Sequence, residues 1–284
     1  MTSTTWNHIR IVAFAITIAT LGNSVDCYAQ SIQPPPPRPL DLPRTVTWVR
    51  TLSDDACDTF RDGRTLWLVP NDASLKAKRC SIPRLCASLT SIGWSDPSKQ
   101  AIHFKPEPEH WDFTWKESAP KNARIKVVFE KEPVLPSQSE PAAPAADGSI
   151  MLHADQAKTV GKKLRFEPQW FKNTVGYWAV PTDYATWNLQ FAEAGEYSVA
   201  ILQGCGSGQA GSDALISLRH QESVVAELPF RTIDTGHFQN FRWNHLGRIS
   251  VAKAGTYQLQ INAVRISKAA LCDIRSIHLV KQAK

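Results

Sequence analysis

The chain has 284 residues, 43% of them hydrophobic, and its 32 Lys and Arg outnumber 26 Asp and Glu to give a formal net charge of +6. This length suits about two globular domains, and the small positive balance mildly favours anionic partners. No run of Lys and Arg stands out, which argues against a nucleic-acid-binding protein.

Residues 1–29 have the pattern of an export signal. A short polar stretch that ends in Arg10 precedes the apolar run 11–21, and residues 27–29 have the small-x-small form that signal peptidase cleaves. The apolar run is short for a bilayer span. The sequence therefore predicts a secreted or periplasmic protein whose mature chain begins near Gln30 and has no membrane span, with an uncleaved anchor as the alternative.

Proline-rich segments divide the rest of the chain. A spacer at 30–44 contains four consecutive prolines, and a linker at 133–146 is rich in Pro and Ala. These segments delimit two predicted domains, at 45–132 and 147–284.

The first predicted domain consists of short runs of β-forming residues separated by Asp, Gly, Pro and Asn turns. No segment has a convincing helical period, although residues 81–88 could form a turn or two. We therefore expect a small β-sandwich. Its predicted strands are 45–52, 65–69, 89–94, 101–104, 111–115 and 124–130.

The second predicted domain has many short strands, few helices and frequent Gly and Pro turns, which favour a sandwich or jelly roll. The alternation of apolar residues through 185–191 is typical of a strand with one buried face. Tyr197 and Tyr257 each follow an Ala-Gly turn and are predicted to pack in the structure. The predicted strands are 150–154, 185–191, 196–202, 214–219, 223–228, 241–246, 248–251, 256–261 and 273–280.

Five cysteines follow the predicted signal. An oxidising compartment permits disulfides, but the odd count leaves at least one thiol unpaired. Cys80 could pair with Cys86 or Cys57, and the spacing leaves open whether Cys205 pairs with Cys272. No CxxC motif accompanies them, so a metal cluster is not expected.

The chain carries no motif that indicates an enzyme. Acidic pairs such as Asp54 with Asp55, and Glu107 with Glu109, have the character of solvated turn residues. The glycine-rich loop 204–213 lacks the Lys-Ser/Thr ending of a phosphate-binding loop, and we expect it to be a flexible connection.

Six segments of the second domain, taken in order, resemble the galactose-binding-like jelly roll of family-6 and family-35 carbohydrate-binding modules. The resemblance covers nearly all of 147–284 and implies an all-β protein of two β-sandwich domains, the second a galactose-binding-like jelly roll. The segments are HADQAK (153–158), VGYWAVPTDYATWNLQF (175–191), AGEYSVAI (194–201), TGHFQNF (235–241), AGTYQLQI (254–261) and LCDIRSIHLV (271–280).

The same resemblance implies a ligand site. In such modules two aromatic residues sandwich a sugar ring and an Asn that opens the last strand binds its hydroxyls; Tyr177, Phe238 and Asp273 occupy the matching positions. Phe238 stands where Trp is usual, and Asp273, where Asn is usual, would accept hydrogen bonds without donating them. Four further residues could extend the site: Trp178, Asp183, His237 and Asn240. The aromatic pair at 177–178 could instead close the end of the sandwich.

The modules also often hold a structural calcium ion through acidic residues of the first strand. Only Asp155 of the HADQAK segment could serve, with His153 where a carboxylate is expected. Calcium needs several oxygen ligands. No other cofactor is expected.

The first domain resembles the β-sandwich that follows the catalytic barrel of α-L-fucosidases. The resemblance rests on four segments: GRTLWLV (63–69), LTSIGW (89–94), IHFKPEPEHWDFTW (102–115) and NARIKVVFE (122–130). A (β/α)8 barrel takes about 250 residues, and residues before 45 are signal and spacer, so two-carboxylate hydrolysis has no scaffold here.

The sequence thus predicts a secreted, non-catalytic carbohydrate-binding protein. Acidic polysaccharide is the ligand that its charge favours, since residues 147–284 contain 15 Lys and Arg against 11 Asp and Glu. One alternative is an envelope protein that uses the jelly roll as a scaffold for a partner. Another is an accessory or relic of an α-L-fucosidase-like glycosidase that lacks its catalytic barrel.

Overall fold

The computed structural model describes residues 34–96 and 100–283. The predicted export signal lies outside these residues. Residues 36–284 form one compact unit. Within the described ranges, no helix is long and apolar enough to cross a membrane.

The described chain is almost entirely β-structure, which confirms the predicted all-β class. Turn-forming residues separate strands whose apolar side chains alternate with polar ones. The strands are β1 (Thr47–Trp48), β2 (Cys57–Asp62), β3 (Thr65–Pro70), β4 (Arg79–Pro83), β5 (Leu89–Trp94), β6 (His103–Pro106), β7 (His110–Thr114), β8 (Ile125–Phe129), β9 (Ile150–His153), β10 (Lys158–Val160), β11 (Arg165–Glu167), β12 (Thr174–Gly176), β13 (Tyr184–Phe191), β14 (Gly195–Gly204), β15 (Asp213–His220), β16 (Ser223–Arg231), β17 (Arg242–Val251), β18 (Gly255–Arg265) and β19 (Asp273–Lys281).

One short α-helix, α1 (Asp72–Ala77), interrupts the first region, at a position where no helix was expected. Asn71 caps it by accepting a hydrogen bond from the Ser74 amide, and Lys78 ends it in the left-handed conformation. The helical turn or two that residues 81–88 could form is absent: residues 79–83 form β4, and residues 84–88 are irregular. Three-residue 3-10 helices occur at Arg50–Leu52, Pro136–Gln138 and Ala154–Gln156.

The first region folds into two antiparallel sheets, in the orders β1-β2-β3-β8-β5 and β4-β7-β6. Trp111 and Phe113 of β7 and Phe129 of β8 are fully buried between them. The ring of Trp111 stacks on Phe129 with centroids 6.2 Å apart. Large aromatic residues therefore fill the core of this small sandwich.

The second region also has two sheets, in the orders β10-β13-β18-β15-β16 and β11-β12-β19-β14-β17, with β9 paired to β19. The alternating apolar residues of β13 are buried as predicted, and they include Trp187. Tyr197 and Tyr257 are buried, and their hydroxyls donate to the backbone oxygens of Glu193 and Lys253. Both tyrosines therefore pack within the sandwich, as their positions after the Ala-Gly turns indicate.

Contacts join the two regions. The Leu89 amide donates to the Pro168 oxygen at 2.7 Å, and Arg165 pairs with Glu107 at 2.8 Å. Within the segment 133–146, Ala142 is buried and forms a parallel bridge with Leu189 of β13. The proline-rich segment is thus anchored to the edge of the second sandwich.

The five cysteines that follow the predicted signal are all buried free thiols. The pairing of Cys80 with Cys57 or Cys86 that the sequence permits is not formed. Burial, followed by the nearby carboxylates of Asp234 and Asp273, raises the pKa of Cys205 to about 11.

Candidate functional site

A pocket of about 340 Å³ opens where β11, β12 and β19 lie side by side. It brings together Tyr177, Phe238 and Asp273, three residues that the sequence analysis selected. Six other residues complete its lining: Glu167, Lys172, Ala179, Gln239, Ala269 and Ala270.

Tyr177 is the exposed aromatic residue of this pocket. It directly follows β12 and adopts a φ of 59°, a left-handed conformation that is uncommon for residues other than glycine. Its side chain is 48% exposed. The Arg165 guanidinium lies 3.5 Å from the ring centroid, and Glu107 holds that guanidinium in turn. The arginine thus supports the ring by a cation–π contact, while much of its surface remains open.

Two buried carboxyl groups form the polar side of the pocket. Glu167 ends β11 and Asp273 opens β19, and Gly176 of β12 lies between them. A Cβ atom on Gly176 would lie 2.7 Å from Glu167 Oε2 and 2.8 Å from Asp273 Oδ1. The Lys172 ammonium pairs with Glu167. The absence of a side chain at Gly176 therefore allows the two carboxyl groups to approach each other.

This arrangement changes the expected chemistry of Asp273. Burial, followed by the negative charge of Glu167, raises the pKa of Asp273 well above its usual range, and Lys172 opposes the shift. A buried acid beside a second acid holds its proton to a higher pH than a solvated one. In its protonated form Asp273 donates one hydrogen bond as well as accepting others.

Asp273→Asn is expected to become more stable than the wild type as the pH rises. Because the folded pKa of Asp273 lies above its unfolded value of about 3.9, the native state binds the proton more tightly. The wild type then loses stability as the pH rises through the folded pKa. The variant escapes this loss, so its advantage in unfolding free energy should grow as the pH rises through the folded pKa of Asp273. Urea denaturation between pH 4 and pH 8 measures it.

Asp234→Asn is the matched control for this experiment. Asp234 is exposed, and the amides of Gly208 and Gly236 lower its pKa, so its substitution should give a pH dependence of the opposite sign. Parallel stability profiles for wild type and Asp273→Asn would contradict the proposed charge state of the pocket.

Phe238 reaches the pocket from a tight turn at 235–240. Its packing needs two glycines of the loop 204–213: a Cβ on Gly204 would lie 1.9 Å from the Phe238 oxygen, and one on Gly206 would lie 2.8 Å from its ring. The glycine-rich loop, expected to be only a flexible connection, therefore also makes room for the aromatic residue.

His237 and Asn240 stabilise this turn. His237 Nδ1 accepts from the Gln239 amide at 3.1 Å, and the Asn240 side chain donates to the Thr235 oxygen. Both residues are exposed, but neither lines the pocket, whereas Gln239 of the same turn does.

Trp178 and Asp183 lie in the core, which corrects the expectation that they extend the ligand site. Both are fully buried, and Trp178 Nε1 donates to the Asp183 backbone oxygen at 2.9 Å. The Asp183 carboxylate accepts from the amides of residues 162, 163 and 164 at 2.8–2.9 Å. Their hydrogen bonds fix the chain around Tyr177. Because both side chains are fully buried, they offer no surface to a ligand.

Comparisons with known proteins give matches among solved structures alone. No protein-family model matches it, and no curated protein matches it. Among solved structures, an α-L-fucosidase from Vibrio sp. strain EJY3 has 11% identity and a TM-score of 0.34, over 79% of this chain and 39% of that one. The chain thus spans well under half of the fucosidase.

Two smaller structures each match about half of this chain. A C-terminal family-6 carbohydrate-binding module of a laminarinase from Zobellia galactanivorans has 20% identity and a TM-score of 0.38, over 47% of this chain and 99% of the module. A family-35 module from Cellvibrio japonicus has 11% identity and a TM-score of 0.36, over 48% of this chain and 94% of the module. Because these values are low, we assign the site from the contacts of this chain alone.

Asp155 does not fit a calcium site. Its carboxylate Oδ2 lies 2.6 Å from the Lys131 ammonium, and its backbone oxygen accepts from Arg84. Across residues 34–96 and 100–283, no group of three or more His, Cys, Asp and Glu could hold a metal ion. A single carboxylate that already pairs with an ammonium provides too few oxygen ligands for calcium.

Proposed function

We propose that this chain is a non-catalytic carbohydrate-binding protein and that the 340 Å³ pocket binds one sugar ring. The observation that carries the proposal is the half-exposed Tyr177 ring in the same pocket as Phe238, beside the carboxyl groups of Glu167 and Asp273. The C–H face of a sugar packs on an aromatic ring, and a few polar groups orient its hydroxyls.

The charges of the pocket favour a neutral sugar. Glu167 and Asp273 are both buried in the lining, and Lys172 is already paired with Glu167. A carboxylate or sulfate on the ligand would lie against two acidic groups, which disfavours it. We therefore propose a neutral sugar for this pocket in place of the acidic polysaccharide that the overall charge suggests.

The location and domain division follow as further parts of the proposal. The signal-like pattern at 1–29 supports secretion or a periplasmic location. The resemblance to family-6 and family-35 modules supports residues 147–284 as the binding domain, with 45–132 as the second domain.

Tyr177→Ala tests the pocket. A glycan array of neutral and acidic polysaccharides is screened with the full chain, and isothermal titration calorimetry then measures the affinity for the best ligand. Loss of the exposed ring is expected to weaken binding at least tenfold, about 1.4 kcal/mol. Tyr177→Phe should retain most of the affinity because it retains the ring.

Trp170→Ala is the control for this experiment. Its ring is 66% exposed but does not line the pocket, so its loss should leave the affinity unchanged. Thermal unfolding confirms that each variant is folded. If the folded wild type bound no glycan, or if Tyr177→Ala bound as tightly as the wild type, the proposed function would be wrong.

A further inference from the structure

A second cavity, of about 530 Å³, lies between the end of β4, the 3-10 turn Pro136–Gln138 and the strands β10 and β13. It shares no lining residue with the pocket around Tyr177. Its volume falls within the range of about 300 to 1,000 Å³ that is usual for small-molecule sites. The size permits a ligand, and the lining indicates which kind.

Arg84 is the unusual residue of this lining. It directly follows β4 and is only 3% exposed. The one hydrogen bond of its guanidinium to another described residue runs from Nη2 to the Asp155 backbone oxygen at 3.3 Å. Its Nε atom is buried without a partner, and the group lies 5.3 Å from the Phe166 ring centroid. A guanidinium has five N–H donors, so most of its hydrogen-bonding capacity is unused.

Burial lowers the pKa of Arg84, and the negative charge of the nearby Asp155 opposes this shift without forming an ion pair with the guanidinium. Within the part of the chain that the structure describes, Arg84 forms no ion pair with a carboxylate. The Asp155 carboxylate pairs with Lys131, at 2.6 Å. Burying a charge without a hydrogen-bonded partner is costly, so an anion beside Arg84 would be strongly favoured.

Other groups of the cavity suit an anion. The Thr159 hydroxyl is buried without a hydrogen-bond partner, and Lys158 is an exposed cationic residue of the lining. Glu109 is the one acidic residue in the lining, and its side chain is exposed. Two cationic residues against one acidic residue leave the cavity with a positive balance.

We propose that this cavity binds an oxyanion: the carboxylate, sulfate or phosphate group of a small acidic ligand. Arg84 is its ionic partner, Thr159 donates a hydroxyl hydrogen bond, and Lys158 attracts its charge. The guanidinium is planar and presents paired donors that match such groups. The inference does not depend on the proposed binding of a neutral sugar at the other pocket.

Isothermal titration calorimetry of the full chain at low ionic strength tests the proposal. The probes are glucuronate, inorganic sulfate and inorganic phosphate, with glucose as the neutral comparison. We expect saturable binding of at least one anion that persists in Tyr177→Ala, whereas any binding of glucose at the other pocket should be lost in that variant. The probe that binds best identifies the preferred oxyanion.

Variants then locate the binding. Arg84→Met keeps the length of the buried side chain without its charge and should weaken anion binding at least tenfold. Lys158→Gln and Thr159→Val, which disturb the fold less, should each weaken it about threefold or more. Lys163→Gln, an exposed lysine outside the cavity lining, and Tyr177→Ala should leave it unchanged.

The proposal is wrong if the folded full chain binds none of the three anions. It is equally wrong if Lys158→Gln and Thr159→Val bind the anion as tightly as the wild type, or if Lys163→Gln weakens binding as much as they do. Should Arg84→Met fail to fold, these two variants decide the result.

Discussion

Trp178→Ala is expected to lower the free energy of unfolding by about 3 to 5 kcal/mol, the range for removing a fully buried large aromatic side chain. Trp178 is fully buried, and its indole N–H donates to the Asp183 oxygen at 2.9 Å. Its backbone oxygen also accepts from the Leu271 amide at 2.8 Å, which ties the loop to the start of β19. Alanine would leave a cavity and an unpaired backbone oxygen at Asp183.

Trp170→Ala is the matched control for this measurement. Trp170 is 66% exposed, and its main ring contact is edge-on with Phe171 at 5.7 Å between centroids. Its removal should change the unfolding free energy by no more than about 0.5 kcal/mol. Guanidinium denaturation followed by far-UV circular dichroism compares both variants with the wild type. Equal effects of the two substitutions would show that Trp178 does not hold the loop.

The difference between Tyr177 and Trp178 illustrates what the sequence could and could not predict. The sequence predicted a loop over the sheet and left open whether its aromatic pair stacks on a ligand or closes the end of the sandwich. It did not separate one ring from the other. The left-handed conformation at Tyr177 and the buried hydrogen bond of Trp178 determine that Trp178 packs inside and Tyr177 stays exposed. Both depend on contacts with residues beyond the pair, so no local pattern reveals them.

The strongly alternating segments were predicted well because one face of each strand is buried. β13 follows this pattern from Trp187 to Phe191, although Thr186 at its start is buried as well. Short or charged strands were missed for the opposite reason: β2 contains Asp58, Arg61 and Asp62, which obscure its buried residues. The six-residue helix α1 is too short to have a visible period.

The pocket was predicted in part. Tyr177, Phe238 and Asp273 come from widely separated segments, and the resemblance to known modules was sufficient to group them. Glu167 and Lys172 were missed because each is an ordinary charged residue in its own stretch of sequence. Only the pairing of β11, β12 and β19 places Glu167 beside Asp273, and this pairing sets the charge of the pocket.

The second large effect is expected from Asp183→Ala, which should lower the free energy of unfolding by about 2 to 3 kcal/mol. The Asp183 carboxylate accepts hydrogen bonds from three consecutive amides, those of Lys162, Lys163 and Leu164. The Leu164 amide is buried and costs about 1 to 3 kcal/mol when left without a partner, whereas Lys162 and Lys163 are exposed, so water can partly replace the bonds of their amides. The loop also packs closely on the carboxylate, since a Cβ on Gly161 would lie 2.1 Å from Oδ1.

The same hydrogen bonds predict how the effect depends on pH. Burial alone would raise the pKa of Asp183, but hydrogen bonds from the three amides outweigh it and lower the pKa. Because the folded pKa lies below the unfolded value of about 3.9, the stabilisation is complete at neutral pH and is lost as the pH falls through the folded pKa. The difference between wild type and Asp183→Ala should therefore shrink in acid.

Asp147→Ala is the matched control, because it also removes a carboxylate that accepts a backbone hydrogen bond. Asp147 also accepts from a backbone amide, that of Ser149 at 2.9 Å, but it is exposed. Water can replace its hydrogen bonds, so its substitution should cause little loss of stability. Urea denaturation of both variants at pH 7 and pH 3 makes the comparison. A small loss for Asp183→Ala at pH 7, or a loss that persists undiminished at pH 3, would mean that the carboxylate does not hold the loop beneath the site. The orientation of Tyr177 would then depend on Trp178 and the Arg165 contact instead.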